Sequence, residues 1–231
     1  MTSSRLPGKV LADVGGMPML EMMVRRLKRS QTLSGICLAT TTSAEDDPLA
    51  DLAGRLGVML FRGPEDDVLA RVVGAAQASG ADVIVETTGD CPMIDPAILD
   101  GCVLSYFSST CHYCSNALDG SFPRGLEVQV FSRDVLEEVE RTTQEPVDRE
   151  HVSLFIYEHP DRYVLRSVRA VGALRRPDWR WTVDTEHDLD FVRHVVTDLG
   201  HDFSAAEVAA YLVERPEVVA INEHVEQKPA R

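Results

Sequence analysis

Short apolar runs alternate with amphipathic segments along most of this chain, and that rhythm narrows its fold more than any other feature. Leu20, Met23, Val24 and Leu27 fall at i, i+3, i+4 and i+7, so 17–29 reads as a helix with Pro18 near its start, where a missing N–H does little harm. Residues 35–40 read as a short buried strand, 43–56 as a helix and 57–61 as a second strand. The pattern continues with a helix over 66–78, which gathers Val68, Leu69, Val72 and Val73 on one side. A strand over 81–87 and a helix over 96–107 follow. Strand and helix alternating in such units specify a mostly parallel sheet with helices on both faces.

After residue 110 the rhythm changes. Leu126 to Phe131 alternates apolar with polar residues, as a half-buried strand does. Helices over 133–144 and 148–158 are expected next, then strands near 163–169 and 179–183. Thr185-Glu186-His187-Asp188 resembles a capping box opening a helix over 186–199, and a last helix covers 204–213. No repeat or low-complexity linker divides the chain. One domain over 1–231 is expected, with an excursion at about 115–150 whose apolar strand residues Val128 and Val130 seek cover at a subunit interface.

Composition excludes several classes. With 44% hydrophobic and 26% charged residues, the 231-residue chain can bury a core, and disorder is excluded. Twenty-three basic against 37 acidic residues leave a formal charge of −14, which repels a nucleic-acid polyanion. No apolar run approaches the roughly 18 residues of a membrane span. The first residues lack the apolar core of a secretory signal, so a cytoplasmic protein is expected. Five cysteines, an odd number, suit reduced thiols better than a disulfide framework. Cys111-His112-Tyr113-Cys114 has C-x-x-C spacing but no second ligand pair, so a buried strand is expected there.

Three segments carry chemistry. Ser3-Ser4-Arg5-Leu6-Pro7-Gly8-Lys9 places small residues and two cations in a loop, which lets backbone N–H groups approach phosphate oxygens while Arg5 and Lys9 neutralise charge. An ordinary Pro-Gly surface turn has the same composition. Thr88-Gly89-Asp90-Cys91-Pro92 ends a central strand, where ligands of open α/β sheets bind and a carboxylate can hold Mg²⁺. Trp181-Thr182-Val183-Asp184-Thr185 again ends a strand with an aspartate, which serves equally as a neighbour of the helix cap.

These segments belong to a longer ordered set. Ser4 to Leu11, Gly16-Met17-Pro18-Met19-Leu20, and Gly89-Asp90-Cys91-Pro92-Met93-Ile94-Asp95-Pro96 come first. Phe122-Pro123-Arg124-Gly125-Leu126-Glu127-Val128, Arg149-Glu150-His151-Val152 and Trp181 to Thr185 follow. Together they resemble the SpsF-type (spore coat polysaccharide biosynthesis) cytidylyltransferases, related to the CMP-Kdo and CMP-sialic acid synthetases. The resemblance spans nearly the whole chain. It implies a Rossmann-like, GT-A-like α/β/α nucleotidyltransferase fold and a homodimer. It also implies a Mg²⁺-dependent transfer of CMP from CTP to a sugar or sugar acid, with release of pyrophosphate. Arg5 and Lys9 match the family's phosphate-loop cations, with Ser3, Ser4, Gly8 and Gly89 beside the nucleotide and Lys9 nearest the reacting phosphate. Asp90 and Asp184 match its metal ligands, so Lys9, Arg5 and Asp90 are the expected catalytic residues. Arg124, Glu127, Arg149 and His151 fall on the acceptor side, and Arg71, on the helix after Glu65-Asp66-Asp67, reads either as a solvated helix charge or as a neighbour of the nucleotide.

The chain also departs from that pattern. Relatives carry an apolar strand ending in Ala-Arg ahead of the loop, whereas Met1 and Thr2 precede Ser3 here. The family's first strand is therefore expected to be missing, leaving 36–40 and 83–87 short of ladder partners. Three other readings stay open: another NTP with a sugar 1-phosphate, a GT-A-like glycosyltransferase, and a non-catalytic nucleotide-binding protein. A glycosyltransferase would usually carry Asp-x-Asp where this chain has Gly89-Asp90-Cys91-Pro92.

Overall fold

The alternation read from the sequence is realised in a computed structural model that describes residues 5–227. The first helix, α1 (Met19–Leu27), precedes β1 (Cys37–Thr41), α2 (Asp47–Leu56), β2 (Met59–Gly63), α3 (Val68–Ser79), β3 (Val83–Glu86) and α4 (Pro96–Phe107). Local chemistry sets these boundaries. The Asp67 carboxylate caps α3 by accepting from Ala70 N–H, and Asp95 caps α4 by accepting from Ala97 and Ile98, with Pro96 at the first turn. Then come β4 (Tyr113–Ser115), β5 (Gln129–Ser132), α5 (Arg133–Thr142), α6 (Pro146–Glu150), α7 (Leu154–Glu158) and β6 (Leu165–Ser167). The chain closes with α8 (Glu186–Leu199), α9 (Ala205–Glu214) and α10 (Pro216–Val219). The capping box at Thr185 and Asp188 is present, and Ser204 with Glu207 forms a second one on α9.

The strands form two groups. β1 pairs in parallel with β2, Cys37 opposite Met59 through Thr41 opposite Gly63. The other four lie in the order β3-β5-β4-β6. β5 runs antiparallel to both β3 and β4, while β4 and β6 are parallel, so β5 alone is reversed in a mostly parallel sheet. Among the described residues no strand lies between β1 and β3. Both line one cleft of about 1940 Å³, each with one edge unpaired among the described residues.

Alternation of side chains across the sheet builds the layers. Cys114 and Val130 turn to one face, packing with Leu20, Met23, Leu52 and Leu99 from α1, α2 and α4. Tyr113 and Phe131, one residue away in each strand, turn to the other, against α3, α5 and α7. A third cluster gathers Trp179, Trp181 and Val183 with α8 and α9. The cysteines are free, and Cys114 lies in the expected buried strand.

Four expectations need correction. The helix over 148–158 is two five-residue helices, because the backbone leaves helical geometry at His151 and Ser153 Oγ turns to Gln129. The strand over 179–183 is a single bridge between Arg124 and Arg180. Its backbone changes partners along its length: Trp181 N–H donates to Arg124 O at 2.6 Å and Val183 N–H to Asp90 O at 2.8 Å. The strand from 126 begins only at Gln129, because the Asn116 amide replaces the ladder, bonding Leu126 O at 2.8 Å and Val128 N at 2.7 Å. Val128 and Val130, expected to seek cover at a subunit interface, are fully buried within the chain. No apolar face at these two residues is left to hold a partner.

Candidate active site

The cationic loop is set by a glycine. Gly8 takes the left-handed conformation (φ 71°) and turns the chain into a single 3₁₀ turn over Lys9–Leu11, where Leu11 N–H bonds Gly8 O at 2.9 Å. That turn aims the Lys9 ammonium into the cleft. It donates to Asp90 Oδ2 at 3.2 Å, to Asp184 Oδ1 at 2.9 Å and to Val183 O at 2.6 Å. Residues 81 and 175 positions apart thus meet on one ammonium group.

Each aspartate is held from behind. Asp90 follows β3, and its carbonyl accepts from Val183 N at 2.8 Å and Thr182 Oγ1 at 3.1 Å, which ties the segment after β3 to the segment before α8. Asp184 is gripped on both oxygens: besides Lys9, Arg180 Nη2 lies at 2.6 Å and Arg5 Nη2 at 2.8 Å from Oδ2. Burial pushes the Asp184 carboxyl upward, but Lys9, Arg180 and Arg5 outweigh it and hold it below the usual carboxylate range. Arg180 also donates from Nε to the fully buried Asp188 at 2.8 Å, and Asn222 Nδ2 bonds both Asp188 and the Arg180 carbonyl at 2.9 Å. Asp188 in turn accepts the N–H groups of Asp184 and Thr185, each at 2.9 Å.

The opposite lip carries Arg124 and Glu127. Gly125 (φ 103°) lets it approach, since a Cβ there would stand 2.4 Å from Thr182 N. Gly125 N–H donates to Glu127 Oε2 at 2.6 Å. Burial pushes the Glu127 carboxyl up, against the pull of that N–H and of Arg124, and Asp90 adds to the rise. Between the acids sits Cys91, raised well above an ordinary thiol by burial and by Asp90 and Glu127. It is a packed thiol rather than a nucleophile.

Arg5, Gly8, Lys9, Gly89, Asp90 and Asp184 therefore line one cleft, and Arg124, Glu127 and His151 line it with them. Ser3 and Ser4 lie outside the described residues. Arg149 does not line the cleft: its guanidinium is spent on Asp67 and on the Glu140 carbonyl, tying α6 to the cap of α3. Arg71 lines the cleft wall but donates to the Pro64 and Glu65 carbonyls. The clamp of Arg180, Asp188 and Asn222 escaped the sequence reading. Its one local sign was Asp in the third position of the capping box, where Glu is usual.

Lys9 also tests whether these residues suit a divalent cation, because one cation already reaches both carboxylates. The donors are oxygens, and two carboxylates leave most of the coordination to phosphate and water, which is how Mg²⁺ is usually held. Among the described residues no group of three or more His, Cys, Asp and Glu is placed to hold a metal, so a divalent cation held by Asp90 and Asp184 would need its other oxygens from a ligand or water.

The chain is similar along most of its length to known proteins. The chain is 32% identical over 232 residues to the spore coat polysaccharide biosynthesis protein SpsF of Bacillus subtilis, covering 96% of this chain and 95% of that one. It is 34% identical over 100 residues to a 3-deoxy-manno-octulosonate cytidylyltransferase of Geobacter sulfurreducens, covering 42% and 38%. A solved cytidylyltransferase from Leptospira borgpetersenii superposes with a TM-score of 0.91 at 27% identity, over 99% of this chain and 95% of that one. The sequence pattern described as Cytidylyltransferase matches residues 1–222, and with Lys9 meeting Asp90 and Asp184 in one cleft, the chain belongs to the cytidylyltransferase family.

Proposed function

We propose that the protein transfers CMP from CTP to a hydroxyl of a sugar or sugar acid and releases pyrophosphate. The observation that carries this reading is the Lys9 ammonium bridging Asp90 and Asp184 on the cleft wall. Asp90 and Asp184 would hold Mg²⁺, which when bound neutralises phosphate charge and acidifies the acceptor hydroxyl. Lys9 then exchanges its carboxylate partners for phosphate oxygens, and Arg5 follows from the same loop. Their charges count most as negative charge builds on the reacting phosphate and the leaving pyrophosphate. Arg124 and His151 face the acceptor, where a guanidinium suits a carboxylate or phosphate. The remaining work is positioning, bringing the acceptor hydroxyl in line with the leaving group.

A pyrophosphate-release screen of the four NTPs against sugar acids, neutral sugars and sugar 1-phosphates tests the reading. Turnover is expected with CTP and a sugar or sugar acid. Turnover with another NTP and a sugar 1-phosphate would replace both the base and the acceptor class. Nucleotide binding with no pyrophosphate from any pair would make this a non-catalytic binding protein. Within the reaction, Lys9→Ala is expected to lower kcat more than it weakens CTP binding. A pure KM effect would reduce Lys9 to a uniform binding contact.

A further inference from the structure

Beyond Glu127 the cleft continues over side chains that the transfer reaction leaves unused. Val128 and Val130 both pack toward α1 and α4, which turns Glu127 and Gln129 to the other side. Gln129 stands opposite Glu86 in the register of β3 and β5. Its Oε1 accepts from Tyr113 Oη at 2.6 Å and from Ser153 Oγ. With Oε1 taken twice, Gln129 has its Nε2 donors to offer. Glu86, Gln129, Tyr113, Glu150 and Tyr157 all line the cleft.

Glu86 is the unusual member. It is half-buried and faces the cleft, yet its carboxyl enters no hydrogen bond or ion pair among the described residues. Oε2 is covered by the protein, so Oε1 is the oxygen left for a ligand. Burial pushes the group up to about 7, with no cation near enough to offset the rise. Other acids of the same cleft are provided for: Asp184 has Lys9, Arg5 and Arg180, and Glu127 has the Gly125 N–H at 2.6 Å. A carboxylate left without donors is costly to the empty protein, and a cationic ligand donor removes that cost.

We propose, building on the transferase reading of the cleft, that Glu86 and Gln129 form a subsite for an amino group, so that the acceptor is an amino sugar or an amino-bearing sugar acid. An ammonium neutralises the carboxylate and gives Oε1 a charge-assisted hydrogen bond. A hydroxyl would donate one neutral bond and leave the charge unmatched, and a carboxylate or phosphate would be repelled. Gln129 Nε2, beside it, suits an oxygen on the neighbouring carbon of the same sugar. Glu86 precedes Asp90 by four positions, at most about 13 Å of extended strand. A sugar seated over Glu127 can therefore present its hydroxyl at Asp90 and its amine at Glu86.

The test binds acceptors to protein loaded with Mg²⁺ and a CTP analogue that cannot be cleaved between its α- and β-phosphates. Hexoses and ulosonic acids carrying an amine, a hydroxyl or an acetamide at each carbon in turn are titrated by calorimetry. At the carbon that meets Glu86, the amine is expected to bind about tenfold or more tighter than the hydroxyl. Glu86→Gln, which keeps the shape and removes the charge, should erase that preference. Glu214→Gln, exposed on α9, should leave it as it was. Pyrophosphate release from CTP is followed with the same acceptors, and the amine preference should reappear in kcat/KM. No binding by any amine would overturn the proposal, as would an amine preference that survives Glu86→Gln. Turnover of hydroxyl acceptors with no preference for amines would leave the transferase reading standing and remove the subsite. Amine-selective binding that Glu86→Gln abolishes, with no pyrophosphate from any acceptor, would do the reverse.

Discussion

Two acidic side chains of one cleft, Asp184 and Glu86, have opposite fates. Asp184 meets Lys9, Arg5 and Arg180, and these cations hold its carboxyl below the usual range despite burial. Glu86, at the end of β3, has no hydrogen-bond partner on Oε2, and burial pushes it up to about 7. The difference lies in what stands behind each. Asp184 projects from the body packed around Trp181, Val183 and α8, and its neighbours are fixed by Asp188 and Asn222. Glu86 belongs to a strand with one edge open to the cleft. Charge can be focused where the backing is closed, and it is left uncompensated where the backing is open.

The sharpest break of that contrast is at the closed wall. Asp90→Asn and Asp184→Asn should each lower pyrophosphate release by roughly 10²–10³-fold with the fold intact, because each removes one anchor of the charge-stabilising group. Circular dichroism with steady-state rates checks this, and an unchanged rate in either variant removes that residue from the chemistry. Arg180→Met comes next. It leaves Asp188 buried without its cation, which should cost about 3–5 kcal/mol of stability in urea unfolding. A cost near zero would mean that Asn222 and the backbone N–H groups alone hold Asp188.

How far the sequence revealed this arrangement depends on the range of the forces involved. Helices such as α1, α3 and α4 were readable because their apolar spacing and caps are local. Lys9, Asp90 and Asp184 could be picked out because each sits at a loop or strand end with a chemical character of its own, and the structure brings them together. Arg149 stands off the cleft because it pairs with Asp67, 82 positions away, and nothing near it in the chain announces that partner. The bridge at Arg124 and Arg180 replaced an expected strand for a similar reason: its backbone partners come from two distant segments. Arg180 was passed over because a charged residue between two tryptophans reads as an outward strand position until Asp188 is placed behind it.

The open wall makes a pH-dependent prediction. The folded Glu86 carboxyl holds its proton to about pH 7, whereas an unfolded glutamate releases it near 4.5. Between those values the unfolded state ionises first, so stability falls as pH rises, and the full penalty applies above pH 7. Glu86→Gln copies the protonated form. It should therefore add about 3 kcal/mol at pH 8 and little at pH 4.5. Urea titrations at the two pH values decide the matter, and an equal change at both would mean that Glu86 finds a partner in solution.

The smallest effect concerns the edges themselves. β1 pairs with β2 and β3 pairs with β5, so each has ladder groups facing the cleft without a strand partner among the described residues. An apolar extended segment of about ten residues ending in Ala-Arg, fused ahead of Ser3, would offer both edges a ladder. Each bond formed contributes roughly 0.5–1.5 kcal/mol. Ordering each added residue costs about 1–2 kcal/mol in backbone entropy, so most of the gain is cancelled unless the apolar side chains are buried as well. The net expectation is a rise in melting temperature of a few degrees, on the order of 1 kcal/mol for a chain of this size. CTP should bind more tightly, because a paired segment ahead of the loop would hold Arg5 and Lys9 in place. A charged segment of equal length is the control, since it matches the fusion but cannot enter an apolar slot. If the apolar and charged fusions melt and bind CTP alike, the open edges are already satisfied by water, and the contrast between the two walls rests on charge alone.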